Sequence, residues 1–178
     1  FMKGVIVGID VGTYAVRVVV VQKEKDTGLI KVIGTGHAES RGLRHGYITN
    51  KAQATSSIKE ALSDAAHKTG FKIKRAYISI GGVSLSSEYA NGGSIVTRAD
   101  KEVTVLDIQN ALNESESTLE LPNKKILHRI PVSFKLDGKE VLGRPEGMKG
   151  IKLEVKSLFV TCLSQHLEDL VGAVTDAG

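Results

Sequence analysis

The sequence predicts an α/β protein, α+β in detail, in which a strand-rich opening and a final helix enclose a smaller block of strands around one helix. Three observations predict it. The first 36 residues alternate β-branched runs with glycine turns, residues 50–70 carry a full set of helix start and stop signals, and residues 72–161 return to strands.

The opening reads as a three-stranded antiparallel meander. Val5, Val7 and Ile9 alternate with Gly4, Ile6 and Gly8, and Val11-Gly12-Thr13 breaks the run before a second β-branched stretch from Ala15 to Val21. Asp26-Thr27-Gly28 is the next turn, and Leu29 to Gly36 the third strand. Both parities of the first two strands are apolar, so both faces of the sheet are expected to be covered by helices. The segment from Ser40 to Tyr47, with glycines at 42 and 46, reads as a polar surface loop.

A helix is expected over 50–69. Asn50 and Gln53 have capping-box spacing, Ile58, Ala61, Leu62, Ala65 and Ala66 form its apolar stripe, and Gly70 suits a left-handed C-cap. A strand over Ile73–Ile80 and more strand material over Ser84–Thr97 follow, then a helix opened by Thr104 and Asp107 with the stripe Val105, Ile108, Ala111 and Leu112. Strands over Lys125–Leu136 and Ile151–Cys162 complete a strand, strand, helix, strand, strand block, whose core is expected from Ile78, Ile80, Ile108, Leu112, Ile126, Ile130, Val155 and Leu158. A last helix starts near Ser164 with the stripe Leu167, Leu170, Val171 and Val174. Its polar face carries Glu168 and Asp169 without Lys or Arg, the wrong sign for anionic lipid, so it reads as a core-packing helix.

Composition narrows the function classes. The 178 residues are 41% hydrophobic and 25% charged, ordinary for a folded domain, and no apolar run approaches the roughly 18 residues that span a bilayer. A single cysteine, Cys162, leaves no intramolecular disulfide and points to a reducing compartment; with no secretion signal at the start, the expected location is cytoplasmic. Phe1 ahead of Met2 reads as a remnant of cloning. The net charge of +4 is spread along the chain, and with 4% aromatic residues and no Trp the stacking platforms of nucleic-acid binders are missing, so no nucleic-acid partner is expected. Basic groups at Lys72, Lys74 and Arg75, at Lys124 and Lys125, and at Lys149, Lys152 and Lys156 read as solvated faces.

The residues with the most chemistry are Ile9-Asp10-Val11-Gly12-Thr13-Tyr14, at the first hairpin turn. A glycine there lets backbone approach a phosphate, exposed N–H groups and the Thr13 hydroxyl can donate to its oxygens, and Asp10 can hold the water shell of Mg²⁺. Gly12, Thr13 and Tyr14 are therefore the candidate nucleotide-binding residues, and Asp10 the candidate metal residue, acting through water. Tight hairpins also favour Asp and Gly, so these six residues alone leave both readings open.

Asp-x-Gly-Thr between the first two strands resembles the first phosphate loop of the actin, Hsp70 and sugar-kinase superfamily. Further stretches sharpen the resemblance to the bacterial cell-division FtsA family: Gly8 to Thr13, Ser40-Arg41-Gly42 with Gly46 and Ile48, Tyr77 to Gly82, Leu127 to Pro131, Lys149 to Val155, and the helix ending at Gly178. The resemblance implies that residues 1–71 with 162–178 form part of an actin-like 1A subdomain, and that residues 72–161 form an inserted 1C subdomain of SHS2 type. It also implies ATP and Mg²⁺ as cofactors of a full-length protein, at most a weak ATPase, self-association through 1C, and contacts with FtsZ and other division proteins at the inner face of the membrane. The FtsZ surface, the second phosphate loop and a C-terminal membrane helix would lie in parts that this sequence lacks, so it looks like an N-terminal fragment with no catalytic residue of its own. Such a fragment is expected to bind ATP weakly or not at all, because one phosphate loop leaves most of a nucleotide wet.

Other constellations carry less. The histidines at 37, 45, 67, 128 and 166 lack metal-ligand spacing, Cys162 four residues before His166 reads as a buried small hydrophobe, and Glu114 and Glu116 read as a solvated helix end. Ser40, Arg41 and Arg44 read as surface loop, with phosphate binding the lesser option. Two alternatives from the same superfold remain: a PilM-like type IV pilus assembly ATP-binding protein, and a sugar or acetate kinase. The kinase would need a general base, and residues 72–161 offer no carboxylate in a recognisable motif.

Overall fold

A computed structural model describes residues 4–178, so the Phe1-Met2 start lies outside the described residues. Contacts divide the chain into two compact units, Phe1–Ser84 with Gln165–Gly178, and Leu85–Ser164. The divisions fall at 84/85 and 164/165, against the 71/72 and 161/162 read from the sequence.

The first unit holds β1 (Val5–Val11), β2 (Ala15–Lys23), β3 (Ile30–Glu39), the two-residue β4 (Leu43–Arg44) and β5 (Tyr47–Ile48), helix α1 (Lys51–Thr69) and β6 (Tyr77–Ser79). β1, β2 and β3 form the expected antiparallel meander. The strand expected over 73–80 is shorter and joins this sheet, parallel to β1, giving the order β3-β2-β1-β6. It does not belong to the second block.

Helix α1 keeps its predicted ends. The Asn50 side chain accepts from the Gln53 N–H, and Gly70 turns left-handed at φ 70° while its N–H donates to the Ala66 carbonyl. Ala61 and Ala65 lie so close to β3 that a Cβ on Gly36 would come 2.0 Å from the Ala61 carbonyl oxygen. Glycine is thus required there for helix and sheet to touch. Val7, Ile9, Val16, Val18 and Val20 meet Ile58, Ala61, Leu62 and Ala65 in one core with Ala173 of α3 (Ser164–Asp176) and Ala177 just after it. The buried face of α3 runs through His166, Leu170 and Ala173; Val171, read as part of its stripe, is 45% exposed.

The opposite face of this sheet is open, contrary to the expectation of cover on both sides. Ile6 and Val19 are exposed there, and Val32 and Ile30 further along β3 are more so. Apolar residues of both parities reveal a strand's suitability for burial; they do not supply the covering element.

The second unit holds β7 (Ser86–Ile95), α2 (Val105–Ser117), β8 (Lys124–Leu136), β9 (Lys139–Val141) and β10 (Lys152–Leu163), in sheet order β7-β10-β8-β9. Its order is strand, helix, three strands. α2 starts with a complete capping box, in which Thr104 and Asp107 bond reciprocally. Val96, Val103, Ile108, Ala111, Phe134, Leu136, Val141, Leu153 and Val155 form the core, and Phe159 is fully buried. Of the residues read as core, Ile108 and Val155 are buried, whereas Ile130 is 44% exposed and Ile78 and Ile80 lie in the other unit. Val105 is exposed rather than part of the α2 stripe.

Candidate functional site

The turn between β1 and β2 is tied down at three points. The Gly12 N–H donates to the Ala15 carbonyl at 3.1 Å, and a Cβ on Gly12 would sit 3.0 Å from that oxygen, which favours glycine. Ser40, at the end of β3, clamps the turn from both sides: its hydroxyl donates to the Gly12 carbonyl and its N–H to the Tyr14 carbonyl. The third tie is long-range. His45 and Gly46, at φ 51° and 83°, form the two-residue tip of the β4–β5 hairpin, and the Gly46 N–H donates to Thr13 Oγ1 at 2.9 Å.

That bond uses a lone pair of the Thr13 hydroxyl and leaves its proton to donate elsewhere. Among the described residues the Thr13 and Tyr14 N–H groups have no hydrogen-bond partner, and both residues are exposed. Two unpaired backbone N–H groups and one hydroxyl donor thus belong to one turn, a set of groups that can serve an anion.

Asp10 is the penultimate residue of β1, on the open face of the sheet. It is the register partner of Ser79 on β6, whose hydroxyl donates to Asp10 Oδ1 at 2.8 Å. Its other oxygen lies 3.7 Å from Arg17 Nη1, with both side chains more than half exposed. The carboxylate can therefore face a hydrated cation without first being unearthed.

Asp10, Gly12 and Thr13 line an open cavity of about 480 Å³ with His45, Gly46, the Ser79-to-Gly82 stretch, His166 and Leu170. Its wall is a contact between two glycine turns, where a Cβ on Gly46 would come 3.3 Å from the Gly82 Cα. His166, 4% exposed, closes the base: its Nδ1 lies 2.7 Å from Ser84 Oγ, and its ring packs on Tyr47 with centroids 4.7 Å apart.

A family profile described as "SHS2 domain inserted in FTSA" matches residues 82–161. The cell division protein FtsA of Streptococcus pneumoniae is 33% identical over 99% of this chain and 38% of its own length, and that of Pseudomonas aeruginosa 33% identical over 93% and 40%. The chain belongs to the FtsA family. FtsA of Bacillus subtilis is 29% identical over 97% of this chain, and the chain spans about two fifths of the length of these FtsA relatives. In fold it is similar to a chain of the PilM-PilN type IV pilus biogenesis complex, with a TM-score of 0.61 at 13% identity over 97% of this chain and 44% of that one. It thus has an actin-like fold with an SHS2 domain. Among the described residues no helix of this FtsA-family chain is long and apolar enough to cross a membrane, and no His, Cys, Asp and Glu cluster has the makings of a metal centre.

Asp10, Gly12 and Thr13 come together at the cavity, while the Tyr14 side chain, 82% exposed, stands outside its lining. Sequence reading missed Ser79, Gly46 and His166; the glycine pairs near 46 and 82 were the available signal, but nothing local says that two distant turns meet. The other constellations are structural. Cys162 is buried and burial pushes its thiol up; Glu116 pairs with Arg129 at 2.7 Å; and the Glu114 carboxylate accepts the Gly93 N–H. The Glu pair is therefore engaged rather than a solvated helix end. The Arg41 N–H donates to Ser57 Oγ, which anchors that loop to α1.

Proposed function

We propose that this chain supplies the first phosphate loop of an FtsA-type ATP-binding protein that assembles during cell division and helps to tether FtsZ. The observation that carries the reading is the pair of free N–H groups at Thr13 and Tyr14 beside a Thr13 hydroxyl held as a donor. The residues fit a Mg²⁺-bound triphosphate: glycines at 12, 46, 81 and 82 leave four positions of the cavity lining without a side chain, and Asp10 is exposed to hold a hydrated dication. ATP and Mg²⁺ are the cofactors on this reading. The first unit serves as part of a 1A subdomain, and the second as the 1C subdomain, through which copies of the protein associate. Its long edge strand β7 is suited to pairing with or packing on another chain. Contacts with FtsZ and the membrane, and placement at the inner face of the membrane at the division site, depend on regions outside this sequence.

Thr13→Val, which keeps the shape and removes the hydroxyl, tests the reading in the full-length gene product. It is expected to weaken ATP binding by about tenfold, the usual weight of one hydrogen bond to a charged group. Unchanged affinity would remove the turn from the site. The 178 residues alone are expected to bind ATP only weakly in a calorimetric titration, because the cavity is open.

A further inference from the structure

We propose that Ser79 is a positioning residue that orients Asp10 toward the metal, an inference that rests on the nucleotide reading above. Asp10 and Ser79 are paired across the parallel β1–β6 ladder, so their side chains leave the sheet on the same face. The Ser79 hydroxyl donates to Oδ1 at 2.8 Å, which fixes the plane of the carboxylate. Without that bond the side chain of Asp10, more than half exposed, would be free to rotate.

The two carboxylate oxygens are thereby made unequal. Oδ1 is occupied by a neutral hydroxyl donor. Among the described residues Oδ2 has Arg17 as its one ion-pair partner, at 3.7 Å, in an exposed pair of the kind that contributes little and yields readily to another cation. A hydrated Mg²⁺ competes with Arg17 for Oδ2, while Ser79 keeps its hold on Oδ1 and preserves the direction of approach. Ser79 touches no phosphate in this scheme and acts only through Asp10.

The role separates from a merely structural one by its Mg²⁺ dependence. In the full-length gene product, the affinity for a fluorescent ATP analogue is measured with Mg²⁺ and with EDTA, for the parent protein, Ser79→Ala and Ser79→Thr. The parent is expected to bind more tightly with Mg²⁺. Ser79→Ala is expected to lose about tenfold of that gain and to keep its EDTA affinity within about twofold, whereas Ser79→Thr, which retains a hydroxyl, restores the gain. Three results overturn the proposal: a full Mg²⁺ gain in Ser79→Ala, an equal loss with and without Mg²⁺, or no rescue by Ser79→Thr. A parent protein whose binding ignores Mg²⁺ overturns the nucleotide reading of Asp10 itself.

Discussion

At the scale of single residues, the chain places side chains by what surrounds them more than by their type. Cys162 shows this. It is completely buried, and loss of hydration pushes its thiol above the ordinary value. A raised folded value favours the neutral form in the native state, so its stabilising contribution is complete below the unfolded thiol's value of about 8.5 and fades as pH rises through the folded one. Alkylation at pH 8, followed by mass spectrometry, is expected to be far slower in the native protein than in urea; equal rates would contradict the burial. Asp10, Gly12 and Thr13 were legible in the sequence because a hairpin turn is a local event. Ser79 and His166 were not, because their importance comes from partners 69 and 82 positions away.

At the scale of elements, caps were read more accurately than faces. Asn50, Gly70, Thr104 and Asp107 announce their helices because capping is a contest among a few neighbouring backbone groups. Thr104→Ala removes one side of the α2 box and is expected to cost about 1 kcal/mol in urea unfolding; a change below a few tenths would show that the box is redundant. Faces depend on what packs against them. On α3 the buried positions are His166, Leu170 and Ala173, where a small residue admits close packing and a polar one has a partner in Ser84. Hydropathy ranks Val171 above both and so adds one exposed residue to a predicted stripe whose Leu170 is buried and whose Val174 packs on the core. The same limit applies to β6, whose residues read correctly as strand while its choice of sheet rests on a crossover pairing with β1.

At the scale of the whole molecule, each unit carries a core of its own. Phe159 is the largest fully buried side chain, and Phe159→Ala is expected to cost the second unit about 3–5 kcal/mol. Hydrogen exchange checks this amide by amide: β7, β8 and β10 should lose protection while α1 and β3 keep most of theirs. Uniform loss across both units would mean that they unfold as one. The meander, the three helices and the three long strands of the second sheet were legible in the sequence, since alternation and turn chemistry are short-range. The open face of the first sheet was not, because a pattern of apolar residues records a demand for burial without naming what meets it.

The two ends of the second unit lie side by side. Ser86 and Thr161 are ladder partners in neighbouring strands, and their hydroxyls are 2.8 Å apart. A module that begins and finishes at one spot resembles a cassette: lineages can lengthen it, trade it or reshape its far end without rethreading the rest of the polypeptide. Diversity between relatives should therefore gather at the end of the insert remote from that doorway, around the β8–β9 turn at Asp137 and Gly138 and the neighbouring loops.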